Sequence, residues 1–266
     1  MKAHPIFGIP MNSEQYANEW SKNSNFFDAN NHYNWMNESL GEAPLVLEIG
    51  CGSGYSTLSL LKTNRKVLVI ETNEKCINEA IQKVTAQDIN FFHTGSINEA
   101  YDSLYDEAKK VIFLQIDFFE FIQQVNSKIK FDAIVCWLIG AAPEVIAKNL
   151  NKDFYSFEGN TMAIYRIKLH KACYELGTRV LKTGGIVHII DRNVIRSWND
   201  KDWARNEAIR AYSELSGEYY DIMLPNVYLR KSGQFKTSQI QYVAVSDQPL
   251  PVEGLQVICS VKSVKR

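Results

Sequence analysis

The stretch "LVLEIGCGSGYSTLSLL", residues 45–61, constrains the fold more than any other part of the chain. Leu45, Val46, Leu47 and Ile49 form a short apolar run interrupted only by Glu48, and the run stops at Gly50, Gly52 and Gly54. A run of that kind closed by glycines predicts a buried strand feeding a tight turn. "YSTLSLL" continues without a breaker and sets Leu58 and Leu61 on one face at helical spacing. The unit is therefore strand, glycine loop, helix. Glycine is required where the backbone takes positive φ or comes so close to another group that a Cβ would collide. Three glycines in five residues point to a ligand lying on the backbone.

The glycine spacing says which ligand. The dinucleotide fingerprint is G-x-G-x-x-G, with the pyrophosphate on the helix N-terminus. Here the third glycine arrives one residue early, at Gly54, and Tyr55 stands where a nicotinamide enzyme keeps a small residue. No Lys-Ser or Lys-Thr pair follows, as a nucleotide-phosphate loop requires. Glu48, two residues before the loop, opposes a pyrophosphate and favours a cation. The local reading is a positively charged cofactor.

Downstream the pattern alternates. A strand at 66–71, a helix at "NEKCINEAIQKVTAQ", a strand at "VIFLQID", a short helix at "FFEFIQQV" and a strand at "FDAIVCWLI" follow in order. Such alternation implies a parallel sheet with helices on both faces. Residues 88–110 read as an insertion with a helix at "INEAYDSLYDEAKK". A helix over 160–181, a Gly-Gly turn and a fifth strand at 186–190 come next, then a helix through "DKDWARNEAIRAYSELSG" that stops at Gly217. "SQIQYVAVS" and "LQVICSVKSV" read as a closing antiparallel hairpin, and the Asn-rich "NSNFFDANNHYNW" as a loop bracketed by short helices.

At 266 residues with 45% apolar composition, the chain suits one α/β domain with additions. A formal net charge of -1 gives no general attraction to polyanions, which argues against a dedicated nucleic-acid or membrane-surface binder. Five cysteines without C-x-x-C spacing suggest free thiols in a reduced, cytoplasmic setting. No apolar stretch reaches membrane-spanning length, so the expectation is a soluble, unexported protein.

With these elements placed, residues 45–191 resemble a class I S-adenosylmethionine-dependent methyltransferase. Five features in the right order carry the resemblance: "EIGCGSG" for the first motif, "VLVIET" ending in an acid, "LQIDFF" with an acid and a bulky neighbour, "FDAIVCWLIGAAP" for the fourth strand, and "LKTGGIVHII" for the glycine turn before the fifth. The resemblance implies a Rossmann-like, doubly wound α/β sheet of seven strands, mostly parallel with an antiparallel C-terminal hairpin, plus an N-terminal helical lid. It implies a single domain over 1–266, with a helical arm at 1–43, a cofactor-binding core at 44–192, and an acceptor-side insertion with the hairpin at 193–266. Glu48, Gly50, Gly52 and Gly54 would surround the methionine part of S-adenosylmethionine. Glu71 would accept the ribose hydroxyls, Asp117 and Phe118 would hold the adenine, and Cys136 at the end of the fourth strand would complete the cofactor contacts. S-adenosylhomocysteine would be the product.

A sulfonium is already a good electrophile, so its methyl leaves by in-line displacement and positioning supplies much of the acceleration. A base is needed only where the acceptor must lose a proton. Candidates for that role are His32 and Tyr33 in the N-terminal arm and Asp191 after the fifth strand; Tyr16, Trp137 and Arg192 are candidate acceptor contacts. Residues 144–160 and 193–235, rich in aromatics, are expected to build an enclosed acceptor pocket. His93, His170 and Cys173 share no metal-ligand spacing, Asp132 precedes the fourth strand, and no metal is expected. "CWLIGAAPE" lacks the N-P-P-Y or D-P-P-Y of nucleic-acid amino methyltransferases. The expected acceptor is a small molecule; a protein side chain, or a non-catalytic sensor of the cofactor, are the alternatives.

Overall fold

The computed structural model of the protein describes residues 11–233 and 254–266. Two helices, α1 (Ser13–Ala29) and α2 (His32–Leu40), lead into a regular alternation of β1 (Leu45–Ile49), α3 (Tyr55–Leu61), β2 (Lys66–Glu71) and α4 (Glu74–Thr85). Then come β3 (Phe91–Thr94), α5 (Ile97–Leu104), β4 (Val111–Gln115), α6 (Phe118–Gln124), β5 (Phe131–Trp137), α7 (Pro143–Leu150) and α8 (Thr161–Val180). The chain closes with β6 (Leu181–Ile195), α9 (Lys201–Ser216), β7 (Tyr220–Asp221), β8 (Val227–Lys231) and β9 (Leu255–Lys265).

The sheet runs in the order β3-β4-β2-β1-β5-β6-β9-β7, with β8 also on β9. From β3 to β6 every pairing is parallel, and β9 is antiparallel to β6, β7 and β8. Because β1 pairs β2 on one side and β5 on the other, the chain reverses its winding direction at β1. Helices pack on both faces, and side-chain alternation assigns them. Leu47, Ile49, Leu68, Ile70, Ile112 and Leu114 pack with α6 and α8. Their neighbours Val46, Val67, Val69, Val111, Phe113 and Val135 pack with α1, α2, α3 and α4. Strands buried on both faces explain why they read as continuous apolar runs rather than alternating ones.

Several expectations change. Nine strands rather than seven are present among the described residues: β3 lies in the presumed insertion, β7 and β8 in the presumed acceptor loops, while the strand expected at "SQIQYVAVS" lies outside the described residues. The fifth parallel strand, expected at 186–190, extends over Leu181–Ile195 because β9 pairs it as far as Ile195↔Leu255, well beyond the end of β5. The Asn-rich stretch is mostly helix. α1 starts from an Asn12–Gln15 capping box and runs to Ala29, and only Asn30 and Asn31 break it, the latter at φ +58°. On α3 the buried residues are Ser56, Thr57, Ser59 and Leu60, whereas Leu58 and Leu61 are only partly buried. The hydroxyls turn inward because each has a buried acceptor, as the site shows.

Gly54 has its own constraint. It sits at φ +91°, and a Cβ there would lie 2.6 Å from the Ala80 Cα on α4, whereas Gly184, at φ +75°, faces open space. Gly54→Ala is expected to cost about 2–4 kcal/mol from backbone strain plus overpacking. Gly184→Ala should show only the strain, about 1–2 kcal/mol. Urea midpoints of the two variants test this, and equal losses would refute the helix–helix contact as the reason for Gly54.

Candidate functional site

A cleft of about 720 Å³, counting the part open to solvent, opens at the carboxyl ends of the strands where the winding reverses. That position and size suit a small-molecule site in an α/β sheet. Its floor is the end of β1 with Gly50 and Gly52; one wall comes from Glu71, Thr72 and Asn73 after β2 and Asp117 with Phe118 after β4. The opposite wall is the Trp137–Ala142 segment after β5, with Tyr165 and Leu169 of α8. α1 roofs it with Ser13, Tyr16 and Trp20.

The loop after β1 is held by two carboxylates from opposite sides. Glu48, buried behind the loop, accepts the Ser56 hydroxyl at 2.5 Å and the Thr57 hydroxyl at 2.7 Å, which ties the end of β1 to the first turn of α3. In front, Glu71 Oε2 accepts the Gly52 N–H at 3.2 Å, and its Oε1 accepts the N–H groups of Thr72 at 2.8 Å and Asn73 at 2.9 Å. Burial pushes the Glu48 carboxyl up to about 7, and the Glu71 charge adds to the rise against the two hydroxyls. Burial also raises Glu71, against its backbone donors. Two carboxyls so placed are the electrostatic complement of a cation.

Asp117 N-caps α6, with Oδ1 accepting the Phe119 N–H at 2.9 Å, while Asn149 of α7 donates to Oδ2 at 2.9 Å. Phe118 is buried beside it. The roof is fastened at several points. Asn73 donates to the Ser13 carbonyl at 2.8 Å, the Ser13 hydroxyl reaches Glu144 on α7, and the Ser21 hydroxyl reaches Glu79 on α4. A Cβ on Gly52 would sit 2.1 Å from Trp20 Nε1, and one on Gly140 would sit 2.3 Å from the Tyr16 hydroxyl. The loop glycines therefore serve close packing within the protein, with Trp20 on Gly52, Ile139 against Gly50 and Ala80 against Gly54.

The structure brings Gly50, Gly52, Glu71, Asp117, Phe118, Tyr16 and Trp137 to one cleft. Glu48 and Gly54 stand behind the loop. Cys136 is buried within β5 and packs in the core with Cys173 of α8, because side chains alternate along the strand and its neighbour Trp137 takes the cleft side. His32 is buried against Phe27, its Nε2 3.2 Å from the Ser232 carbonyl, and burial lowers its pKa. Tyr33 is buried against Tyr55 and donates to Ser24 at 3.3 Å. Asp191 pairs with Arg166 at 2.9 Å, and Arg192 lies over the Trp20 and Phe27 rings at 5.4 and 5.8 Å. These four side chains hold elements together and are not among the residues lining the cleft: Tyr33 joins α2 to α1, His32 joins α2 to the chain after β8, and Asp191 and Arg192 join β6 to α8 and α1. Among the described residues, no aromatic of 144–160 or 193–233 lines it; the first stretch forms α7 and a short turn, the second the end of β6 with α9, β7 and β8.

The sequence model of the protein-L-isoaspartate(D-aspartate) O-methyltransferase family matches residues 15–152, just over half of the chain. The chain belongs to this family. It is a methyltransferase, and its methyl donor is S-adenosylmethionine. Among curated protein sequences none matches. Among solved structures, the chain is similar to the N-methyltransferase NodS of Bradyrhizobium japonicum in complex with S-adenosyl-L-homocysteine, at 14% identity and a TM-score of 0.45, over 90% of this chain and 86% of that one. It is also similar to TYW2 of M. jannaschii in complex with AdoMet, at 14% identity and a TM-score of 0.46, over 88% and 74% of the two chains. These likenesses concern the chain path and carry nothing about the acceptor.

In this family member two wall elements escaped the sequence reading. Leu138 takes φ +55°, where the other non-glycine residues at positive φ among the described residues are Asn or Asp, and its N–H donates to the Ile190 carbonyl at 2.7 Å. An apolar residue in that conformation stores about 1–3 kcal/mol and marks a site held by its surroundings. No sequence signal announces it. Tyr165 and Leu169, spaced i,i+4 on α8, were detectable as a helical face but not as cleft residues. Among the described residues no cluster of three or more His, Cys, Asp or Glu side chains forms a metal site, and no helix is long and apolar enough to cross a membrane.

Glu48 gives a pH test. Its folded value, about 7, lies above the ordinary 4.5, so its contribution to stability is complete below pH 4.5 and is lost as pH rises through 7. Glu48→Gln keeps hydrogen-bonding capacity and removes the titration. The melting temperature of the variant relative to wild type is expected to climb between pH 4.5 and 7.5, and a constant difference would contradict the buried carboxyl.

Proposed function

We propose that the cleft binds S-adenosylmethionine along its Glu71–Asp117 wall and a small-molecule acceptor along its Trp137–Tyr165 wall. Bound there, the cofactor supplies an electrophilic methyl group on a sulfonium. Glu71 holds the ribose hydroxyls with the accepting capacity its three backbone donors leave free. Asp117 and Phe118 hold the adenine, while the β1 turn at Gly50 and Gly52 offers its backbone to the methionine part beside Trp20. Glu48, behind the loop, offers its negative field and keeps the turn in place. The residues fit a cationic ligand for the reason already given, two carboxyls that burial disfavours when no positive charge is near.

The acceptor wall orients and excludes water. Burial, then the Asp117 charge, raises the Tyr165 pKa far above its ordinary value, so its phenol stays protonated and acts as a donor, not as a base. The two walls would line an acceptor up with the methyl group, and positioning of that kind supplies much of the acceleration of a displacement. Tyr33 and Arg192 are assigned to fastening the roof, and His32 and Asp191 to holding α2 and α8 in place. The observation that carries this reading is the convergence of Glu71, Asp117 and the β1 loop under α1 at the reversal of the sheet. The family description supports a second reading, a protein side chain as acceptor. A roof fastened on both the α4 and α7 sides favours the small molecule.

Isothermal titration with S-adenosylmethionine, S-adenosylhomocysteine and NAD tests the cofactor part. Binding of the first two without heat from NAD is expected, and Glu71→Ala should weaken binding by about 1.5–3 kcal/mol. NAD binding alone would overturn it. For the acceptor, an isoaspartyl peptide is expected to yield no S-adenosylhomocysteine; turnover would establish the second reading.

A further inference from the structure

Trp137 stands in the wall of the cleft, and its indole nitrogen lies 3.1 Å from His188 Nδ1 on β6. An indole N–H can only donate, so Nδ1 is the accepting nitrogen and the ring proton of the neutral imidazole sits on Nε2. That proton has an acceptor, Ser260 Oγ on β9 at 2.7 Å. Ser39, at the end of α2, lies 3.4 Å from the same nitrogen and donates to the Met36 carbonyl at 2.8 Å. The Trp137 and His188 rings meet edge to face, 5.6 Å apart at 87°. His188 is fully buried, in a strand paired on both sides, Val135 on β5 and Lys262 on β9. Burial lowers its pKa to about 3, so the ring stays neutral across the physiological range, and the indole donor selects the tautomer.

A histidine buried in mid-sheet costs free energy unless each nitrogen is bonded, and an aliphatic side chain would fill the same space without that demand. What the histidine adds is direction. It fixes the indole in its plane, and one residue on, the Leu138 N–H bonds the Ile190 carbonyl. The corner of the cleft is thus held to β6 by a side chain and by the backbone.

We infer that His188 is a positioning residue for methyl transfer, acting through the Trp137 indole, whose fixed plane is the surface on which ligands in the cleft pack. The inference rests on the cleft being the methyl-transfer site. It is tested with the full chain and S-adenosylhomocysteine as probe, together with the Trp137 indole N–H resonance, assigned by its loss in Trp137→Phe. In wild type that resonance is expected to be shifted downfield and slow to exchange with deuterium. His188→Leu and Trp137→Phe should each weaken S-adenosylhomocysteine binding about tenfold, the scale of one buried hydrogen bond. The double variant should bind no more weakly than either single one. His188→Gln offers an acceptor to the indole and a donor to Ser260, and is expected to restore both resonance and affinity. Additive losses in the double variant, failure of His188→Gln to restore binding, or wild-type affinity in His188→Leu with a displaced indole resonance would overturn the inference. Absence of binding by wild type would overturn the cleft reading itself, and this inference with it.

Discussion

The turn between β1 and α3 is held between two carboxyl groups, and the rest of the site depends on that grip. Glu48 draws the Ser56 and Thr57 hydroxyls in from behind, while Glu71 takes the Gly52 N–H from the front. Each is disfavoured as an anion by burial, and Glu71 raises Glu48 further. A site built this way is incomplete electrostatically until a positive charge enters. The sulfonium donor of this methyltransferase family member is such a charge, and in the proposed site the turn, at the reversal point of the sheet, would set it where two walls of different chemistry face each other.

One wall is polar and the other apolar, and α1 covers both. The polar wall comes from the acids that end β2 and follow β4, each hydrogen-bonded to the backbone of the turn it begins. The apolar wall comes from the chain after β5, where Leu138 holds an unfavourable φ because its N–H is bound to β6. The roof reaches the floor directly: Trp20 rests on Gly52 and Tyr16 on Gly140. Glycine at these positions thus permits the helix to close on the loop. Helix α1 is anchored on α4 through Asn73 and Glu79, on α7 through Glu144, and in the core through Trp20 and Phe27.

Strands buried on both faces announce themselves locally, and so β1, β2, β4, β5 and the core of β6 were legible as apolar runs. The acids Glu71 and Asp117 were legible for the same reason, since their position relative to a strand end is a local property. What long-range pairing decides was not legible. β7 and β8 are short, and they exist because β9 presents an edge to them. Leu58 and Leu61 suggested the buried face of α3, yet Ser56, Thr57 and Ser59 face inward because Glu48 and the Tyr33 carbonyl supply acceptors that lie elsewhere in the sequence. The Asn-rich stretch looked like loop by composition, but Trp20 and Phe27 bury themselves and carry the helix through it. His32, Tyr33 and Asp191 are chemically able groups whose partners, Ser232, Ser24 and Arg166, occupy them in holding the fold together.

The central claim is that the cofactor lies at the β1 turn, against Glu71 and Asp117 and beside Trp20. A crystal structure of the protein with S-adenosylhomocysteine tests it most directly. The account predicts ribose hydroxyls on the Glu71 carboxylate, adenine beside Asp117 and Phe118, and the thioether facing the Trp137–Ala142 wall. Density for the ligand outside this cleft, or within it but with the adenine on the Trp137 side, would contradict the account.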